Sequence, residues 1–258
     1  MLDIHHIETF FPEYLRSFGK HMLREYLQYK ILEIIFDSPY RTMLTFKGGT
    51  AIHIVHGNTR FSEGLDFDRA EMSFDDFKAL IDLIQKKLHL EGYDVETKLR
   101  SKTSLGASLK VPKILYDNGI SPLPAEKLMI KIDTALNNFS YTPHHIILNK
   151  FDVFIRINVV PLDLLLAQKI NAFFSRKRTV GRDIYDIVFL LGSTMPNYDY
   201  LNEKLRISSL NSLKEKLIEK AKKCDLPILA HDVEPFLFRS QDAKKIHYFL
   251  DYVASLVQ

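Results

Sequence analysis

The chain has 258 residues, 46% of them hydrophobic and 26% charged, with a formal net charge of only +3. That is ordinary for a globular chain with one large domain or two modest ones, and it excludes a global polycation, so any nucleic-acid surface must be a local patch. Its one cysteine, Cys224, excludes an intrachain disulfide and fits a reducing, cytoplasmic setting.

In chain order, residues 12–37 predict a helix that starts near Pro12, with apolar residues at helical spacing through Leu15, Met22, Leu23, Tyr26 and Ile31. The segment 41–46 (RTMLTF) has strand character, 50–56 reads as a short helix and 65–68 as a short strand. Ser73 is a good N-cap for an amphipathic helix over 74–90. Strands are expected at 93–99, 105–116, 127–134 and 151–160, and Pro161 ends the last of them. Helices follow at 162–174, 182–191, 210–224 and 241–257. The shift near Pro161 predicts an α+β unit with a mainly antiparallel or mixed sheet over 1–160 and a helical unit over 161–258. The opening MLDIHHIETFFPEY lacks the order of a signal peptide, and no run of about 18 apolar residues predicts a membrane span.

Six motifs are candidates for chemistry. In Lys47-Gly48-Gly49-Thr50, glycines let the backbone approach a phosphate, helix N–H groups then face the anion, and Thr50 can cap the helix or donate to phosphate; the plainer alternative is a strand–turn–helix corner. Asp66 and Asp68 alternate along a strand and so share a face, which suits Mg²⁺ bridging substrate phosphates, or simply a solvated strand end. Asp133, in the apolar MIKIDTAL, is either a third carboxylate for metal-dependent phosphoryl transfer or a solvent-facing residue beside Lys131. Lys169 sits beside the apolar stripe of its helix, where it either snorkels or neutralises phosphate charge. Arg176, Lys177, Arg178 and Arg182 form a basic cluster that is either a solvated loop or a contact for triphosphate or RNA. Asp183 and Asp186 share a helix face; the first is expected to cap the helix and pair with Arg182 or Arg178, the second to hold Lys169. The lysines of 214–223 alternate with glutamates and read as a solvated face, and the ten histidines show no zinc spacing.

Taken in order, KGGTA, RFSEGLDF, an acidic strand and LLLAQKINAFFSRKRTVGRDIYDIVFLL resemble the AbiEii/AbiGii nucleotidyltransferase toxin family over roughly residues 41–192. The resemblance implies a polymerase-β-like nucleotidyltransferase core with a mixed sheet and an added helical region. It implies a toxin of a type IV toxin–antitoxin or phage-defence system that moves a nucleoside monophosphate from an NTP to an acceptor hydroxyl, in some members of tRNA. By position, Gly48, Gly49 and Thr50 match the phosphate turn, with Lys47 before it; Arg60 and Ser62 match the residues ahead of the paired aspartates, and Asp66 matches the second of that pair. Lys169 matches the motif lysine, and Asp183 and Asp186 match the late acidic motif.

The chain departs from the family where Gly64 stands in place of the first aspartate. Either Asp66 and Asp68 form the pair in a register shifted by two, or the metal site is incomplete. The expectation is a Mg²⁺- or Mn²⁺-dependent nucleotidyltransferase with Asp66, Asp68 and Asp133 as metal ligands. NTP contacts come from Lys47, Gly48, Gly49, Thr50, Ser62, Arg176, Arg178 and Arg182, with Lys169 at the triphosphate and Asp183 and Asp186 in support. An RNA or tRNA acceptor and a cognate antitoxin are the expected partners. The alternatives are a catalytically degenerate nucleotide or RNA binder and an aminoglycoside-type enzyme acting on a small molecule.

Overall fold

The computed structural model describes residues 3–101 and 104–257. In chain order the elements are α1 (Ile4–Glu8), α2 (Gly19–Phe36), β1 (Leu44–Lys47), α3 (Gly48–His56), β2 (Gly64–Arg69), α4 (Phe74–Leu90), β3 (Glu96–Ser101) and β4 (Leu105–Val111). Next come α5 (Ile114–Asp117), β5 (Leu128–Leu136), β6 (His144–Lys150), β7 (Val153–Val159), α6 (Leu162–Ser175) and α7 (Gly181–Leu191). The chain then runs through α8 (Tyr198–Leu205), α9 (Leu210–Ala221), α10 (Leu226–Val233), α11 (Lys244–His247) and α12 (Phe249–Ser255).

The molecule divides into two compact units, Met1–Ala51 with Phe61–Val160, and Ile52–Arg60 with Pro161–Gln258. The first holds a seven-stranded sheet in the order β3-β4-β5-β2-β1-β7-β6. The sheet is mixed: β2 runs parallel to β5 and β1 parallel to β7, and the other neighbours are antiparallel. The expected α+β architecture with a mixed sheet is the one observed. Alternation makes one sheet face apolar, with Leu44, Phe46, Leu65, Phe67, Ile130 and Ile132 all buried. Helix α2 packs on this face, its Phe36 ring 6.4 Å from that of Phe67. Helix α4 begins at a capping box of Ser73 and Asp76 and buries Phe77, Leu80, Ile81, Ile84 and Leu88. Each such side chain contributes roughly 1.5–3 kcal/mol, far more than any propensity term in the same helix.

Local chemistry explains where the elements depart from expectation. Helix α2 starts at Gly19 rather than Pro12, because Glu13–Phe18 winds as a 3-10 helix first. β3 begins at Glu96, and β4 stops at Val111 because Pro112 follows; the chain then turns through Lys113 at φ +61° into α5. β6 was not expected; it forms an antiparallel hairpin with β7. The hairpin turns at Phe151, whose φ of +59° is unfavourable for an aromatic residue. The rings of Phe10, Phe11, Tyr26 and Tyr29 hold it, with centroids 4.9 to 5.9 Å away. Helices α8 and α10 were also unexpected, and the helix expected at 241–257 is broken into a 3-10 turn, α11 and α12.

The second unit is helical and includes the segment Ile52–Arg60, so the division falls inside α3. Side-chain and backbone bonds account for this. His53 Nδ1 donates to the Asn58 carbonyl at 2.7 Å, Phe238 N donates to the Thr59 carbonyl at 3.1 Å, and Arg60 bridges to Leu237. In the same unit α7 meets α10 through Gly181, where a Cβ would run into the Leu229 carbonyl. Gly181→Ala is therefore expected to destabilise the protein by about 1–3 kcal/mol in urea denaturation; an unchanged midpoint would refute the close approach.

Candidate active site

The polar face of the sheet carries a rung of functional side chains. Lys47 on β1 is the partner of Asp66 on β2, Asp66 of Asp133 on β5, Asp133 of Gly106 on β4, and Gly106 of Arg100 on β3. Residues paired this way point to the same face. The parallel register of β2 and β5 therefore puts Asp66 and Asp133 at neighbouring positions on one face. Asp133 is half-exposed on the same face as Lys131, and Arg100 Nη2 donates to its Oδ1 at 2.7 Å. Gly106 lies between the two; a Cβ there would stand 2.7 Å from Asp133 Oδ1 and 3.0 Å from Arg100 Nη2. Glycine thus leaves the space in which this pair meets.

The glycine turn meets the same rung. Gly48 has φ +79°, and a Cβ on it would run into the Asp66 carboxylate. Gly49 and Thr50 are buried, and the Thr50 hydroxyl donates to the Gly64 carbonyl. The side chain expected to contact phosphate thus fastens the turn to β2 instead, leaving Thr50 its backbone N–H for an anion. Ser62 is partly exposed, and its carbonyl accepts from Gln28 Nε2 at 3.0 Å.

Asp68 has a different setting from Asp66. It is 4% exposed; Lys47 Nζ donates to its Oδ1 at 2.5 Å and Tyr141 Oη to its Oδ2 at 3.0 Å. Burial, and then the charge of Asp68, push the Tyr141 hydroxyl above its ordinary value, so it stays a donor. Among the described residues no group of three or more His, Cys, Asp and Glu side chains comes together to hold a metal. Asp66 and Asp133 are register partners, while Asp68 pairs with Lys47. Two adjacent carboxylates still fit a Mg²⁺ ion, which is commonly held by one or two of them with waters and substrate phosphates.

In the helical unit Asp186 is fully buried and accepts four bonds. Arg60 donates to it through Nε at 2.7 Å and Nη2 at 2.6 Å, Asn58 Nδ2 at 2.8 Å, and Lys169 Nζ lies 2.8 Å from its Oδ2. Lys169 is 3.5 Å from Asp183 Oδ1, so the expected tie between Asp186 and Lys169 is present and Asp183 adds to it. The expected partner Arg178 is engaged elsewhere, and Arg176 reaches Asp183. Arg176 Nε stands 2.9 Å from Asp183 Oδ2, Arg178 reaches Asp232 at 3.8 Å, and Arg182 lies 5.1 Å above the Phe236 ring. Asn58, Arg100 and Tyr141 are the partners that sequence reasoning missed, because each meets its carboxylate only through distant pairing of strands or helices.

These observations meet an independent one. The family profile described as Nucleotidyl transferase AbiEii toxin, Type IV TA system, matches residues 30–251. The chain belongs to the AbiEii family. Solved structures agree on the fold of this AbiEii member. It is similar to MenT4, a nucleotidyltransferase toxin from Mycobacterium tuberculosis, with a TM-score of 0.63 at 13% identity, over 100% of this chain and 91% of that one. It is also similar to JHP933 from Helicobacter pylori, with a TM-score of 0.55 at 18% identity, over 90% of this chain and 91% of that one. No curated protein matches the sequence. Among the described residues of the AbiEii chain, no helix is long and apolar enough to cross a membrane.

Proposed function

We propose that this AbiEii-family chain is a Mg²⁺-dependent nucleotidyltransferase that moves a nucleoside monophosphate from an NTP to an acceptor hydroxyl of RNA. It would act in the cytoplasm as the toxin of a type IV toxin–antitoxin pair. The observation that carries this reading is the register that seats Asp66 beside Asp133, with the Gly48 turn against Asp66. The acceptor oxygen attacks the α-phosphorus, a new P–O bond forms, and the bond to the β-phosphate breaks to release pyrophosphate. Asp133 would either take the hydroxyl proton or join Asp66 in holding the cation. A bound divalent ion supplies charge neutralisation at the phosphates. Lys47, Gly48, Gly49, Thr50 and Ser62 surround the turn that would orient the triphosphate. Lys169, Arg176, Arg178 and Arg182 keep the cationic role that the family implies, with Asp183 and Asp186 fixing Lys169.

Gly64 supports a second reading, a binder that has lost the chemistry. It pairs with Lys131, and a Cβ on it would stand 3.2 Å from the Lys131 carbonyl, so an aspartate there would press on the neighbouring strand. Labelled-NTP incorporation into total RNA separates the two readings. Transfer that appears with Mg²⁺ and stops with a chelator is expected. Nucleotide binding without incorporation of any of the four NTPs would establish the binder.

A further inference from the structure

At the β7 side of the sheet lies a cavity of about 530 Å³ that the proposed transfer step does not use. Its lining includes Asp37, Arg41, Thr42, His145, Arg156 and Asn158. It exists because β1 meets β7 at Phe46 opposite Val159, and the 3-10 turn Pro39–Thr42 stands beside the preceding residues of β7. Asn158 fastens that turn, its Nδ2 donating to the Arg41 carbonyl at 2.9 Å. With the amide nitrogen so used, Asn158 turns Oδ1 to His145 Nδ1 at 2.9 Å, which is then the donor.

The two arginines differ from most cations of this chain. Among the described residues, neither the Arg41 nor the Arg156 guanidinium has a hydrogen bond or ion pair, and both are exposed. Asp37, the carboxylate of the lining, forms an ion pair with neither. Two unneutralised forks at one cavity suit phosphate oxygens, which guanidinium binds bidentately. The surface beside the cavity suits bases. Strand alternation puts Phe154, Arg156 and Asn158 on the carboxylate face of the sheet, and Phe154 is 69% exposed. An exposed aromatic next to guanidinium groups is the usual platform for single-stranded nucleic acid. Thr42 also lines a second cavity of about 230 Å³ that reaches Asp68 and Tyr141, so the basic cavity adjoins the carboxylate strand β2.

We propose that Arg41, Arg156 and Phe154 form a track for a single-stranded RNA, with the arginines on its phosphates and Phe154 stacked on a base. This deepens the RNA-acceptor reading and rests on it for the choice of polymer.

The test is fluorescence anisotropy of a short labelled single-stranded RNA with the full-length protein and no NTP present. The double variant Arg41→Gln/Arg156→Gln is expected to weaken binding about tenfold or more. It should also lower the slope of log K against log salt by about 1.4, at roughly 0.7 per phosphate contact. Phe154→Ala alone is expected to weaken binding at least about fivefold. Binding of a nonhydrolysable NTP and the melting temperature should not change in either variant. Unaltered RNA affinity in both variants would overturn the proposal, and so would a parallel loss of NTP affinity, which would assign the cavity to the triphosphate. RNA binding that survives while binding of a co-expressed protein partner is lost would overturn it in favour of a protein interface. Because the binding test needs no NTP, RNA binding through these residues together with no incorporation in the labelled-NTP assay refutes the enzyme reading and leaves this one standing.

Discussion

Asp186→Ala is expected to cost about 3–5 kcal/mol of folding stability, the loss typical of removing one partner from a buried ion pair. The carboxylate takes three side chains at once, from Arg60, Asn58 and Lys169. Without it the Arg60 guanidinium, whose side chain is 2% exposed, is left as an uncompensated buried charge. For a protein of this size the loss corresponds to a fall of roughly 6–20 °C in melting temperature. Calorimetry checks it, and a variant that melts with the wild type would show that the cluster is dispensable. Asp186→Asn keeps the shape and loses the charge, so it should fall between the two.

The same residue sets an acid limit. Burial favours the neutral acid, but the charges of Arg60 and Lys169 and their hydrogen bonds outweigh it and hold the Asp186 carboxyl below its ordinary value of 3.8. A group depressed in the folded state stabilises above its unfolded pKa, and that contribution is lost as pH falls through the folded value. The wild type should therefore lose this part of its stability only below about pH 4. The Asp186→Asn variant, already without it, should show a flatter stability profile over the same range.

Asp66→Asn is the second large effect. Transfer should fall at least about a hundredfold, the scale seen when one electrostatic group of a phosphate or oxyanion site is removed. The side chain is partly exposed, so stability should stay within about 0.5 kcal/mol. Asparagine keeps the volume beside Gly48 and beside Asp133, so the change tests charge and not packing. Labelled-NTP incorporation and a thermal melt, run on one preparation, separate the two. Full activity in the variant would remove Asp66 from the site.

The parts of the molecule legible in the sequence were those fixed by local chemistry. Ser73 and the apolar spacing behind it gave α4 its bounds, and Gly48 marked the turn because a left-handed φ needs glycine. The edge strand β6 was hidden. Its sequence HHIILNK exposes Ile147 and buries Leu148, so its pattern comes from pairing with β7 and not from composition. The site was half legible. Asp66, Asp68 and Asp133 were recognisable as carboxylates, but which two are register partners depends on parallel strands far apart in sequence. Asp183 illustrates the same limit. Arg178, nearer to it in sequence, reaches Asp232, while Arg176 reaches Asp183.

The placement of Ile52–Arg60 in the helical unit bears on how the protein is made. Arg60 lies 126 residues ahead of Asp186, and the whole sheet except β1 is translated between them. At 5–20 residues per second a ribosome needs roughly 6–25 s to cross that interval. For that time the nascent chain carries a cation destined for burial with no carboxylate to receive it. A cut at Pro161 would make the same separation permanent, with Asn58 and Arg60 on one fragment and Asp186 on the other. The helical unit is therefore a late product of synthesis, completed only when the carboxylate arrives, and not a module that can be exchanged by splicing at the proline.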